Sequence, residues 1–223
     1  MFSAVLCLLC LVFMSLVCRQ ELRKYDLAAV IMKGLASLCF VLLGVLGCRL
    51  SGGGQMAKLV VLGLVLGCVA DVLLDLRFVS EKLDQPIFLL GILVFLAGHV
   101  VYLAAILPSS RQLLLCILAS VVMTALLMRW LFSKVSANMT FKVFGVFYIG
   151  AIVLLSCVSV GILLVSPSAF AGVFTAGVLL FLVSDVVLIL NNFGPEYKFS
   201  LRIVSLSLYY IGQLLIALSL QVL

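Results

Sequence analysis

Eight long apolar runs separated by short polar connections organise the chain: approximately 2–18, 27–48, 58–76, 86–107, 111–131, 142–164, 169–191 and 200–221. Each approaches or exceeds the roughly 20 residues that a helix needs to cross a bilayer. All are far longer than a barrel strand, so the pattern predicts helices. The connections are legible as stops. Arg19 to Asp26 is charged, Ser51-Gly52-Gly53-Gly54 is flexible, and Arg77 to Gln85 carries mixed charge before Pro86, which suits a first helical turn. Pro108-Ser109-Ser110, Ser133 to Thr140, Ser166-Pro167-Ser168 and Asn192 to Lys198 complete the set. The first run has neither a basic start nor a small-x-small cleavage pattern, so it reads as a retained helix. The expected architecture is all-α: one polytopic membrane domain over residues 1–223, a bundle of about eight transmembrane helices.

Composition narrows what such a bundle can do. Of 223 residues, 66% are hydrophobic and 10% charged, against about 45–50% and ~25% in a typical soluble domain. No polar stretch is long enough to form an appended soluble catalytic or nucleic-acid-binding domain. The net charge of +6 comes from 14 Lys and Arg against 8 Asp and Glu. The basic residues stand at the ends of apolar runs, where topology and lipid headgroups explain them better than nucleic acid does. Arg19, Arg23, Lys24, Arg77, Lys82, Arg129, Lys134, Lys142, Lys198 and Arg202 flank odd-numbered connections, whereas Arg49, Lys58 and Arg111 flank even-numbered ones. The positive-inside tendency then puts the odd connections in the cytoplasm and both termini opposite. The 8 Cys lie inside or at the ends of apolar runs and read as small hydrophobes, Cys7-x-x-Cys10 included. Asn138-Met139-Thr140 has the form of a glycosylation sequon, but on a connection predicted to be cytoplasmic it reads as a chance occurrence.

Ionisable residues within the spans are therefore the informative ones, because a charge in the membrane interior costs several kcal/mol and normally faces a partner. They are Lys33 in the second helix, Asp71 and Asp75 in the third, His99 in the fourth and Asp185 in the seventh, with Tyr102, Tyr148, Ser184, Tyr209, Tyr210 and Gln213 as uncharged companions. Gly63, Gly67, Asp71 and Asp75 recur every four residues, which places small residues and two carboxylates on one helix face. Gly177, Phe181 and Asp185 form a similar ladder, and Tyr209 and Gln213 another. At ~1.5 Å rise per residue the polar groups of helices 2, 3, 4, 7 and 8 fall in the half of the membrane nearer the odd connections. The pattern predicts one polar cavity opening to one face. Simpler readings exist for some members: Asp75 as a helix-end carboxylate paired with Arg77 or Lys82, Lys33 snorkelling to the interface, and His99 hydrogen-bonded to a neighbouring helix. Neither Asp71 nor Asp185 can snorkel.

Four ordered segments carry a family resemblance. Leu66-Gly67-Cys68-Val69-Ala70-Asp71-Val72-Leu73-Leu74, then Phe88-Leu89-Leu90-Gly91 to Phe95-Leu96-Ala97-Gly98-His99-Val100-Val101-Tyr102, then Ala171-Gly172 to Leu180-Phe181-Leu182-Val183-Ser184-Asp185, and Tyr209-Tyr210-Ile211-Gly212-Gln213-Leu214-Leu215-Ile216 together resemble the YhhN-like family of membrane proteins. The likeness extends from about Lys33 to Leu218. It implies that Asp71, His99, Tyr102, Ser184, Asp185, Tyr210 and Gln213 belong to the family's polar core, with Lys33 and Tyr148 beside them. Ala70 stands where the family usually has Gly before the first aspartate, and Gly34 where it often has Pro. Characterised animal members are lysoplasmalogenases, so the resemblance implies an intramembrane hydrolase of the vinyl ether of 1-alkenyl lysophospholipids.

That chemistry suits the residues. Two aspartates in a low-dielectric cavity oppose each other's ionisation, so one can keep its proton and serve as the acid while the other stabilises a cation and orients water. Asp71 and Asp185 are the expected pair, with His99 as orienter or alternate proton donor. Lys33 and the tyrosines are candidates for the phosphate end, and Asp75, Tyr102, Tyr148, Ser184, Tyr209, Tyr210 and Gln213 for the remaining substrate contacts. No cofactor or metal is called for, although His99 with three carboxylates could in principle hold a divalent ion. The expected partner is a lysophospholipid within the bilayer. There is no Gly-x-Ser-x-Gly elbow or His-Glu-x-x-His, which leaves a serine or zinc lipid hydrolase without basis. Intramembrane Asp, His and Lys also make proton relays, so a transporter is the main alternative, with a lipid-binding protein as the third class.

Overall fold

The computed structural model describes residues 2–23, 27–76, 84–136 and 138–223. They form eight α-helices: α1 (Phe2–Arg23), α2 (Leu27–Leu50), α3 (Gln55–Leu76), α4 (Asp84–Ile106), α5 (Leu113–Phe132), α6 (Met139–Val165), α7 (Ala169–Phe193) and α8 (Phe199–Ser219). All eight are long and apolar enough to cross a membrane, and no strand occurs among the described residues. Lys24, Arg77 and Lys82, three of the charges that weigh on topology, lie outside the described residues.

The helix ends differ from the apolar runs for local reasons. α1 continues beyond Cys18 to Arg23, because Glu21 on that last stretch pairs with Arg202 of α8 and needs the helix to carry it there. α4 starts at Asp84, so Pro86 sits in the first turn, where its missing N–H is not needed. α6 starts at Met139 because Asn138 caps it: the side-chain Oδ1 accepts from the Phe141 N–H at 3.0 Å. The sequon asparagine thus has a structural task. Ser168 caps α7 in the same way, accepting from Ala171 N–H at 3.1 Å. Between α2 and α3 the chain turns through Gly52 and Gly53 with φ of +82° and +69°, a left-handed conformation that glycine adopts without a Cβ clash.

Pairwise packing runs α2–α3–α4–α6–α7–α8 and closes from α8 back to α2. α1 leans on α2 and α8 from outside, and α5 leans on α6. α5 presents Leu114, Val121 and Leu126 outward at 72%, 63% and 64% exposure, as a lipid-facing helix should. Inside the ring, small residues set the spacing, since lipid tails give apolar side chains little reason to prefer protein. A Cβ on Gly177 of α7 would meet the Gly212 carbonyl oxygen of α8 at 2.7 Å, and one on Gly212 would meet the Gly177 oxygen at 2.8 Å. Ser184 and Ser205 add reciprocal bonds across the same pair, each hydroxyl donating to the other's carbonyl, at 2.9 and 3.1 Å. On α3, Gly63 makes room for the Tyr102 ring of α4, within 2.6 Å of where a Cβ would sit.

Gly177→Ala is expected to lower the thermal unfolding midpoint of the detergent-solubilised protein, at a cost of about 1–3 kcal/mol, because the obstruction is backbone and cannot rotate away. Gly145→Ala, where a Cβ meets nothing within 4 Å, should leave the midpoint unchanged or raise it slightly. Equal midpoints for the two variants would contradict the close α7–α8 contact.

Candidate active site

Lys33 is the centre of the polar half of the bundle. It is 4% exposed, and its Nζ lies 2.7 Å from Asp75 Oδ1 and 3.7 Å from Asp71 Oδ1. It therefore does not snorkel: one cation from α2 serves two carboxylates of α3. The four-residue spacing of Asp71 and Asp75 is what lets one ammonium reach both. Arg77 and Lys82, the other partners considered for Asp75, lie outside the described residues. Arg202 of α8 approaches Asp75 Oδ1 at 3.9 Å and holds Glu21 of α1 through two bonds, Nη2 to Oε1 at 2.9 Å and Nε to Oε2 at 3.2 Å.

Neutral donors complete Asp71. Ser37 Oγ donates to its Oδ2 at 2.6 Å, and Tyr209 OH donates to the same oxygen at 2.7 Å. Behind Tyr209 the bonds continue in one direction. Tyr102 OH donates to Gln213 Oε1 at 3.0 Å, and Gln213 Nε2 donates to Tyr209 OH at 3.4 Å. Gly67 leaves space for this line, since a Cβ there would come within 3.1 Å of Gln213 Nε2. Tyr210 OH reaches the Lys33 carbonyl at 3.4 Å and the Ser37 hydroxyl at 3.3 Å.

Asp185 is placed differently. It is 4% exposed, and Tyr148 OH of α6 donates to its Oδ2 at 2.9 Å. Among the described residues it has no basic side chain at ion-pair distance. Tyr148 in turn stands against the His99 ring, with centroids 5.1 Å apart. His99 also packs on Phe181 at 4.9 Å, and Phe181 on Tyr209 at 5.1 Å. A continuous series of ring contacts thus links the phenol on Asp185 to the phenol on Asp71. Among the described residues His99 does not bond to a neighbouring helix, one of the roles considered for it: both ring nitrogens are buried without a hydrogen-bond partner there. Such an unmet pair costs free energy that packing alone does not call for.

A cavity of about 640 Å³ joins these groups. Lys33, Asp71, Asp75, Tyr148, Ser184, Asp185 and Tyr209 line it, together with apolar residues of α4, α5 and α7. Its walls come from the helix ends that meet odd-numbered connections, as the depth argument expects. Tyr102, Tyr210, Gln213 and His99 are not part of the lining. Tyr102, Tyr210 and Gln213, expected as substrate contacts, and His99, expected as orienter or alternate proton donor, stand behind the wall: Tyr102 bonds to Gln213, Gln213 to Tyr209, and Tyr210 and His99 pack on Tyr209 and Tyr148 respectively. Ser184 lines the cavity while its hydroxyl is committed to α8. His99 and the carboxylates do not gather into a metal-holding group among the described residues.

Two parts of the site escape sequence reasoning. Arg202 and Glu21 sit at run ends, where charges are read as topology markers, yet both face the cavity. Ser37, fully buried, is one small hydroxyl in an apolar helix; its spacing of four from Lys33 is the only signal.

Fold and site together define a class: a multi-pass all-α membrane protein with a buried, carboxylate-bearing cavity at one end of the bundle. Residues 28–220 match the YhhN family, and the chain belongs to it. No curated protein and no solved structure matches the chain.

Lys33→Met is expected to destabilise the bundle by about 3–5 kcal/mol, since it leaves two buried carboxylates without their cation. Adding Asp75→Asn to that variant should restore part of the loss. Thermal unfolding of the two variants checks this; additive losses would mean that the pair is not coupled.

Proposed function

We propose that the protein is an intramembrane lipid hydrolase of the lysoplasmalogenase kind, cleaving the vinyl ether of 1-alkenyl lysophospholipids. The observation that carries this reading is the asymmetry of the two carboxyl groups on one cavity. Asp71 sits beside an ammonium and accepts two hydroxyl hydrogen bonds, an environment that holds a carboxylate as an anion. Asp185 has a single phenol donor on Oδ2 and, among the described residues, no cation at ion-pair distance, so an anion there would stand alone in a low-dielectric wall. Asp185 is accordingly assigned the acid and Asp71 the anion.

In the proposed reaction the Asp185 O–H protonates the alkene carbon distal to the ether oxygen. The π electrons form the new C–H bond, and the carbon attached to oxygen becomes an oxocarbenium ion. Asp71, its carboxylate held in place by the donating Ser37 and Tyr209 hydroxyls, stabilises that cation and orients a water molecule. Water adds to the cationic carbon and its proton passes to a carboxylate. The hemiacetal then collapses to a fatty aldehyde and a glycerophospho-alcohol. Tyr148 acts by positioning Asp185, and His99 by backing Tyr148. The reaction needs one water and no redox partner. The apolar lining of α4, α5 and α7 suits the hydrocarbon chain, so the substrate need not leave the bilayer. By the charge asymmetry of the connections, the cavity opens on the cytoplasmic side.

Purified protein supplied with 1-alkenyl lysophospholipid should release aldehyde. Asp71→Asn and Asp185→Asn should each lower the rate by about 10²–10⁴-fold, the range for loss of a positioned acid or base. Tyr148→Phe should lower kcat more than it raises KM. Full activity in both aspartate variants would end the two-carboxylate mechanism, and an inactive wild type would move weight to transport or binding.

A further inference from the structure

The inner cations of the cavity are already spoken for. Lys33 lies between two carboxylates and Arg202 is held by both oxygens of Glu21. An anionic headgroup placed there would meet three carboxylates as well as two cations. Lys142 is different. It lines the same cavity from the first turn of α6, with its Nζ 5.7 Å above the centre of the Phe132 ring. Among the described residues no carboxylate pairs with it.

Below Lys142 on the same helix, Gly145 and Tyr148 also line the cavity, three and six residues further on. A Cβ at Gly145 would meet nothing within 4 Å, so this stretch of wall is open backbone next to free volume. Six residues of helix advance about 9 Å at ~1.5 Å per residue. From the phosphorus of a 1-alkenyl lysophospholipid to its distal vinyl carbon the path is about seven covalent bonds, roughly 9 Å when extended. The two lengths agree.

We infer that Lys142 binds the phosphodiester of an amphiphile at the cavity mouth, and that the glycerol portion passes over Gly145 toward Tyr148 and Asp185. This rests on the lipid reading above and reassigns the phosphate contact expected of Lys33. An ammonium at the headgroup level keeps the anion in its ordinary dielectric, while the stem of Lys142 and the Phe132 ring shield the contact from the side.

The test uses the full chain in detergent and a ligand that vinyl ether hydrolysis cannot consume. Radiolabelled 1-O-alkyl lysophospholipid, with a saturated ether, and phosphate-free 1-O-alkylglycerol are bound to immobilised protein and counted by scintillation proximity. Lys142→Gln should weaken lysophospholipid binding by about ten- to a hundred-fold, the worth of a charge-assisted contact, and leave alkylglycerol binding unchanged. Lys142→Arg should retain both. Gly145→Phe, which fills the passage without straining a helix, should lose both while its unfolding midpoint is kept. Equal lysophospholipid binding by wild type and Lys142→Gln overturns the site. Displacement by glycerophosphodiester without a chain, as effective as by the lipid, overturns the amphiphile in favour of a soluble phosphodiester. Wild-type protein that binds the saturated lipid with this pattern yet releases no aldehyde from the 1-alkenyl form leaves the site standing and removes the hydrolase.

Discussion

The ammonium of Lys33 is the interaction on which the polar half of this bundle depends. A single cation in a membrane interior is expensive, and so is a single carboxylate. Here one cation sits between two anions spaced one helical turn apart, which ties α2 to α3. Neutral donors, Ser37 from α2 and Tyr209 from α8, meet Asp71 Oδ2, while Asp75 Oδ2 is buried without a hydrogen-bond partner among the described residues. Arg202 then links Asp75 to Glu21, which draws in α1. Four helices are thereby fixed at the same end by one connected charge network, and the cavity is the space left beside it.

The same network divides the cavity by charge. Near Lys33 every strong donor has a fixed acceptor, so Asp71 is held in place and its oxygens are aimed by Ser37 and Tyr209. Across the ring contacts through Phe181 and His99, Asp185 has Tyr148 as its one hydrogen-bond donor among the described residues. Two carboxyl groups in contact with one volume but with unlike surroundings is the arrangement that separates acid from base in a protein.

The eight spans, the inward face of Gly63, Gly67, Asp71 and Asp75, and the Gly177 ladder could be read from the chain because each is periodic along one helix. The end of the bundle that holds the cavity was likewise accessible from depth alone. What could not be read are the pairings between helices. Whether Lys33 reaches Asp75 or the interface depends on how α2 rotates against α3. Tyr102 and Gln213 both look like site residues in sequence, yet they satisfy each other and Tyr209. Arg202 illustrates the opposite error: a charge at a helix end is by default a topology marker, and only the approach of α1 to α8 reveals its ion pair. Buried polar groups thus mark the region, while their partners depend on packing.

That distinction also bears on how an amphiphile would be recognised. A site that neutralises its own interior cations cannot attract a phosphate deep into the bundle, where desolvation of the anion would have no compensating charge. It can accept the uncharged part of a lipid there and leave the anion at the mouth. Lys142, with no carboxylate beside it among the described residues, meets that requirement at the level of the connections. The open backbone at Gly145 separates it from Tyr148 by about two turns of helix. A polar cluster that is internally balanced and a lone cation at the rim together favour a ligand whose charge lies at one end and whose reactive bond lies a short, uncharged distance away.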